Sequence, residues 1–211
     1  MTNDISDSTV LQRRIEGGDE SALVEFFARR RERLKRMVKL RLDHRLQGRI
    51  DPSDVLQEAS IDVVERAREY LANPSMPAFL WLRWITGQKL IALHRRHLGC
   101  KMRDIGLEVS LRQGGLPQAT SVSLAAMLLG RLTSPTRAAL RSELQLKLQD
   151  ALNAMDPIDR EILTLRHFEE LNNNETAEIL GISKTAASNR YVRALKRLKQ
   201  ALAGMRGFFE E

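Results

Sequence analysis

A single cysteine, Cys100, among 211 residues excludes an internal disulfide framework. No apolar run approaches the ~20 residues that a membrane-spanning helix needs, and the first residues lack the apolar stretch of a secretory leader. On those grounds the sequence reads as soluble and cytoplasmic. Aromatic residues make up only 5% of the chain, a content that suits small helical cores. The glycines form no phosphate-cradling loop, no pair of carboxylates marks a pocket, and no Ser-His-Asp context is present. Neither a catalytic residue nor a cofactor is therefore expected.

What the chain does contain is charge in blocks. Hydrophobic residues are 43% of the total, which excludes wholesale disorder. Thirty-four lysines and arginines against 27 acids leave a net charge of +7, unevenly spread. Arg29 to Arg49 is strongly basic, Asp51 to Glu69 is acidic on balance, and Phe79 to Arg103 holds no acid. Such alternation suits a protein that holds nucleic acid with one surface and a protein partner with another.

Helical periodicity dominates, and strand-like alternation is confined to Glu108–Leu111, so the expected fold class is all-α. Asp19 can cap a helix through Leu46 that ends near Gly48, and Asp51 with Pro52 starts another to about Leu71. After the break at Asn73 to Pro77, a third helix is expected from Ala78 to His97. These form a first domain over 10–100. Residues 104–134 lose periodicity and collect glycine, serine and threonine, which predicts an extended linker over 101–134. Its only apolar run, Ser123 to Leu129, is the part expected to become ordered, as a short helix, when a partner holds the linker, or else to pack against either domain in the free protein. Ser134-Pro135 and Asp156-Pro157 are cap-plus-proline starts for helices to Met155 and His167 within a second domain over 135–206.

That second domain ends in a helix-turn-helix. Asn172 and Glu175 have the spacing of a capping box, Gly181 can supply a left-handed stop, and Ser183 can cap the next helix. At about 100° per residue, Ala187, Tyr191, Ala194, Leu195, Leu198 and Leu202 share one stripe of that helix. Thr185, Asn189, Arg193 and Lys196 lie opposite, where Asn and Arg can read base edges in a major groove. A merely solvated basic face is the bland alternative. Solvated helices, however, mix charge signs to gain i,i+4 pairs, whereas Ile179 to Phe209 contains no acid, a pattern that points to phosphates.

The acidic helix after Pro52 has an equally assignable pair of faces. Leu56, Ala59, Val63, Ala67 and Tyr70 form its core stripe, with Val64 and Leu71 at the margin; Asp54, Gln57, Glu58, Ile61 and Glu65 lie on the far side. An apolar residue ringed by acids fits either a protein-binding spot or a solvated face with a stray isoleucine. On the third helix, Trp81, Trp84 and Gln88 fall close together beside Lys89, Arg95 and Arg96, an arrangement able to stack unpaired bases. Trp81 is given mainly to packing. His94, His97 and Cys100 could each ligate zinc, but no fourth ligand is evident and Arg95 and Arg96 oppose a dication, so no metal site is expected.

Asp54-Val55-Leu56-Gln57-Glu58 resembles the clamp-contacting motif of bacterial RNA polymerase sigma factors, and Trp81-Leu82 to Ile85 with Leu93-His94-Arg95-Arg96 resembles their promoter-melting helix. Arg160-Glu161-Ile162-Leu163, Glu178 to Ser183, and Arg190 with Arg193-Ala194 resemble their fourth conserved region. In this order the motifs are most similar to the extracytoplasmic-function group. The resemblance implies a non-enzymatic transcription initiation factor whose first domain binds core RNA polymerase through Asp54, Gln57, Glu58, Ile61 and Glu65. It implies contact with the melted minus-10 element through Trp84, Gln88, Lys89, Arg95 and Arg96. The minus-35 element of promoter DNA would be read by Thr185, Asn189, Arg190, Arg193 and Lys196. An anti-sigma factor is a further partner that the family admits. The family's melting helix often carries Asn and Asp where this chain has Gln88 and Ala92, so no minus-10 preference carries over. The alternative function is a helix-turn-helix regulator with an N-terminal sensory or dimerisation domain.

Overall fold

The structure is a computed structural model that describes residues 10–98, 116–132 and 138–204. Every regular element among these is helical, and Gln47 and Ile50 form one isolated bridge. The elements are α1 (10–16), α2 (Glu20–Arg41), α3 (Pro52–Ala72), α4 (Ala78–Leu98), α5 (Ser121–Leu132), α6 (Ala138–Asn153), α7 (Pro157–Leu163), α8 (Asn173–Leu180) and α9 (Lys184–Ala203). A π-helical turn, Thr164–Phe168, follows α7. The chain divides into two compact units, one of residues 1–38 and 45–107, the other of 39–44 and 108–211.

In the first unit, Asp19 accepts from the backbone N–H groups of Ser21 and Ala22 at 2.9 and 3.1 Å and thereby caps α2. That helix stops at Arg41, short of the expected Leu46. Asp51 caps α3 by accepting from Ser53 N at 2.7 Å, with Pro52 at the first helical position, as its sequence predicts. The core stripe of α3 is buried as expected and gains Val55, whereas Val64 is 58% exposed. Along α4 almost every side chain from Phe79 to Leu90 is buried, so the helix is enclosed on most sides. Leu82, Ile85 and Leu90 lie at its centre with no exposure.

The second unit is built around Leu124, Ala125 and Leu129 of α5, Leu144, Leu148 and Leu152 of α6, Phe168, and Ala194 and Leu198 of α9. The expected extended linker therefore does not hold over 121–132, where the apolar run forms a helix with its leucines in a core. Residues 104–115, Ser134 and Pro135 lie outside the described residues. Lys39–His44 belong to this unit too, and Leu40 joins its cluster. The Arg41 side chain is fully buried here, donating to the carboxylates of Glu161 and Glu169 and, at 2.9 Å, to the Pro117 carbonyl. Burial alone would lower the guanidinium pKa, but the two carboxylates override it and raise the value.

Candidate nucleic-acid interface

The helix-turn-helix forms as its grammar dictates. Asn172 Oδ1 accepts from Glu175 N at 2.9 Å while the Glu175 carboxylate accepts from Asn172 N at 2.8 Å, satisfying two orphan donors at the start of α8. Gly181 ends α8 at φ 62, a left-handed conformation that a side chain would strain. Ser183 Oγ accepts from Ala186 N at 3.1 Å and opens α9. Asn173 adds a brace, its Nδ2 donating to the Lys184 carbonyl at 2.9 Å, which ties the start of α8 to the start of α9.

Ala187, Ala194 and Leu198 of α9 are buried, with Tyr191, Leu195 and Leu202 packed partly against the cluster, so the core stripe is the expected one. The exposed ridge carries Thr185, Ser188, Asn189, Val192 and Lys196. Val192, 63% exposed, sits among polar residues on this ridge and was not among the residues singled out from sequence. Arg190 and Arg193 occupy a different place. Arg190 donates to Asp159 Oδ1 at 2.8 Å, and Arg193 Nε lies 3.4 Å and Arg197 Nη1 3.8 Å from Asp159 Oδ2. The hydrogen bond to Asp159 raises the Arg190 pKa above its ordinary value.

Asp159 is the residue that sequence reasoning missed. It lies in the first turn of α7, where an acid ordinarily needs no partner beyond the helix dipole, yet its side chain is 1% exposed. Asp156 caps α7 by accepting from Ile158 N at 2.8 Å, which lowers its pKa, and Arg190 adds to that lowering from 3.4 Å. The π-helical turn replaces the last turn of the helix expected to run to His167. It sets His167 Nε2 3.0 Å from the Tyr191 hydroxyl and Arg166 over the Tyr191 ring, so α9 is fastened at mid-length.

In the first unit, Asp54, Gln57, Ile61 and Glu65 are exposed on α3 and Glu58 is half-buried. Ile61, 58% exposed, has Val64 beside it at the same exposure, so the apolar spot is twice the size expected. The minus-10 candidates on α4 are engaged with α3. Lys89 pairs with Asp62 at 2.7 Å, Arg96 lies 3.8 Å from Glu58, and the Arg66 guanidinium covers the Trp84 ring at 4.8 Å. Gln88 is half-buried and Arg95 exposed. Trp81 is buried against Tyr70. His94 is buried and His97 exposed, while Cys100 lies outside the described residues. Among the described residues no group of three or more His, Cys, Asp or Glu could hold a metal, and no helix is long and apolar enough to cross a membrane.

Residues 145–198 match the family Sigma-70, region 4. The RNA polymerase sigma-E factor of Streptomyces antibioticus is 38% identical over 55 residues, covering 26% of this chain and 31% of that protein. RNA polymerase sigma factor FliA of Pseudomonas aeruginosa is 33% identical over 92 residues, 44% of this chain and 34% of its own. The chain thus spans about a third of the length of the curated relatives it matches. CnrH, solved in complex with the cytosolic domain of CnrY, aligns with a TM-score of 0.49 and 20% identity over 92% of this chain and 96% of that one.

Proposed function

We propose that the chain is a bacterial RNA polymerase sigma factor of the extracytoplasmic-function type, which directs core polymerase to promoters and initiates transcription there. One observation carries the reading: within the matched region, a capped helix-turn-helix presents a helix whose outward ridge has no acidic residue and whose tip holds Thr185 and Asn189. Phosphate contacts through lysine and arginine supply affinity and orientation, and side chains on the ridge supply base readout. In this reading Thr185, Asn189 and Lys196 face the minus-35 duplex, with Arg190 and Arg193 at its edge.

The first unit takes the other half of the work. Asp54, Gln57, Glu58, Ile61 and Glu65, now joined by Val64, form an exposed acidic surface with an apolar centre, the chemistry of a basic protein partner, here the polymerase core. Trp84, Gln88, Lys89, Arg95 and Arg96 receive the unpaired minus-10 strand, Lys89 and Arg96 by exchanging carboxylate for phosphate. Stacking and hydrogen bonding to exposed bases offset the lost duplex stacking. The protein supplies selection and melting energy in the cytoplasm, and the polymerase supplies the catalysis. Run-off transcription with purified core polymerase and a promoter library tests the proposal. Promoter-specific transcripts only when the chain is added are expected, and their absence together with unaided duplex binding would favour a conventional helix-turn-helix regulator.

A further inference from the structure

The geometry assigns Asp159 a specificity-determining role: it withholds Arg190, Arg193 and Arg197 from the DNA backbone, so that α9 binds duplex through its ridge more than through its total charge. This rests on the reading of α9 as a DNA-contacting helix. The helix carries Lys184, Arg190, Arg193, Lys196, Arg197 and Lys199 and no acid of its own. Non-specific affinity for duplex grows with each cation free to meet a phosphate, and specificity is the difference between specific and non-specific affinities. A chain with six unopposed cations on one helix would hold any duplex.

Asp159 opposes three of them from α7. Its carboxylate is 1% exposed, where attraction is screened far less than at the surface, and both oxygens are engaged. The three arginines follow one flank of α9 at positions i, i+3 and i+7, and Arg193 and Arg197 remain 52% and 46% exposed while leaning toward α7. A carboxylate meant only to fasten α7 to α9 would be satisfied by Arg190, which already bonds it at 2.8 Å. Two further guanidiniums gathered on the same group place a negative element within the field that α9 offers to phosphates. Lys199, by contrast, lies about 160° around the helix from Arg197 and on the far side from Asp159.

The test compares full-length variants, each bound to core polymerase, on a random-sequence duplex and on the best duplex that the unaltered protein selects from a library. Circular dichroism establishes equal folding. D159N is expected to hold the random duplex about tenfold more tightly at low salt while the selected duplex gains less. Its slope of log affinity against log salt should steepen by about 1 to 2, since each added phosphate contact contributes roughly 0.9. R197Q and K199Q, both at exposed positions, keep the question open to refutation should D159N fail to fold: K199Q should flatten the slope by about 0.9 and R197Q should leave it nearly unchanged. Equal flattening by the two, or a D159N that weakens both duplexes alike at an unchanged slope, overturns the role of Asp159. Failure of the underlying reading looks different, because the unaltered protein would then select no sequence at all.

Discussion

The Tyr70 and Trp81 rings stack with centroids 4.5 Å apart and planes inclined by 22°, joining α3 to α4 through an aromatic pair, while the Tyr70 hydroxyl donates to the Met76 carbonyl at 2.8 Å. The pair closes the first unit beside the loop at Asn73 to Pro77, and burial raises the Tyr70 pKa. The two tryptophans of the chain are therefore expected to differ in what their loss costs. Trp81→Ala should destabilise the first unit by about 3–5 kcal/mol, the usual cost of truncating a buried aromatic. Trp84→Ala should cost much less and instead weaken melting. Chemical denaturation alongside permanganate footprinting of promoter thymines would separate the two effects, and equal loss of stability in both variants would contradict the division.

Changing Glu58 and Ile61 together to Arg should abolish association with core polymerase without unfolding the domain. Glu58 gives up an exposed contact with Arg96 at 3.8 Å, and a surface pair of that kind contributes at most about 1 kcal/mol. Ile61 is already in solvent. Helicity by circular dichroism with a core pull-down decides the matter: unchanged core affinity at full helicity would remove α3 from the interface.

On α9, Asn189→Ala is expected to relax preference at particular upstream positions by about 1–3 kcal/mol, whereas Lys199→Ala should weaken all sequences alike. A promoter-library selection reads both. The same preferred bases from the two variants would show that Asn189 reads nothing.

Asp19 provides a pH signature. Hydrogen bonds from Ser21, then from Arg14 and the Ala22 backbone, hold its carboxyl at about 2, below the ordinary value. A carboxylate with a lowered folded pKa contributes stability that is fully present above the unfolded value near 3.9 and lost as pH falls toward the folded one. The expected loss from this group thus begins below about pH 4 and is complete below about pH 2. Nuclear magnetic resonance of the carboxyl carbon should give a midpoint near 2, and Asp19→Ala should lose that portion of the acid sensitivity.

Hydrogen exchange distinguishes α5 from a bare linker. Leu124, Ala125 and Leu129 are buried in the second unit, so amides of 124–129 should exchange slowly in the free protein, without polymerase. Exchange at the rate of an unstructured peptide would mean that the segment orders only on binding.

What the sequence made legible were features with local causes. The capping box of Asn172 and Glu175, the left-handed Gly181, the Asp51-Pro52 start and the stripes of α3 and α9 each depend on residues within one or two turns of one another. What escaped depends on distant partners. Nothing near Asp159 announces that three arginines some thirty residues later converge on it. The helix expected to run from Asp19 to Leu46 stops at Arg41, and the leucines of 124–129, read beside glycine and serine as a linker, find their neighbours in a core that α6 and more distant residues complete. Lys89 and Arg96, legible as cations for DNA, gave no sign of Asp62 and Glu58 as their present partners.

Arg41 carries a consequence in time. Its two carboxylate partners lie 120 and 128 residues farther along the chain. At about 5 to 20 residues per second, synthesis leaves roughly 6 to 24 s between the appearance of the guanidinium and that of Glu161. Throughout that interval the Arg41 guanidinium lacks these two carboxylates, while the residues of α3 and α4, and in time those of α5 and α6, are already made. The second unit therefore includes a segment synthesised well before the rest of it. An N-terminal fragment ending before Glu161 takes both carboxylates from Arg41, and a C-terminal fragment beginning after His44 takes the guanidinium from Glu161 and Glu169.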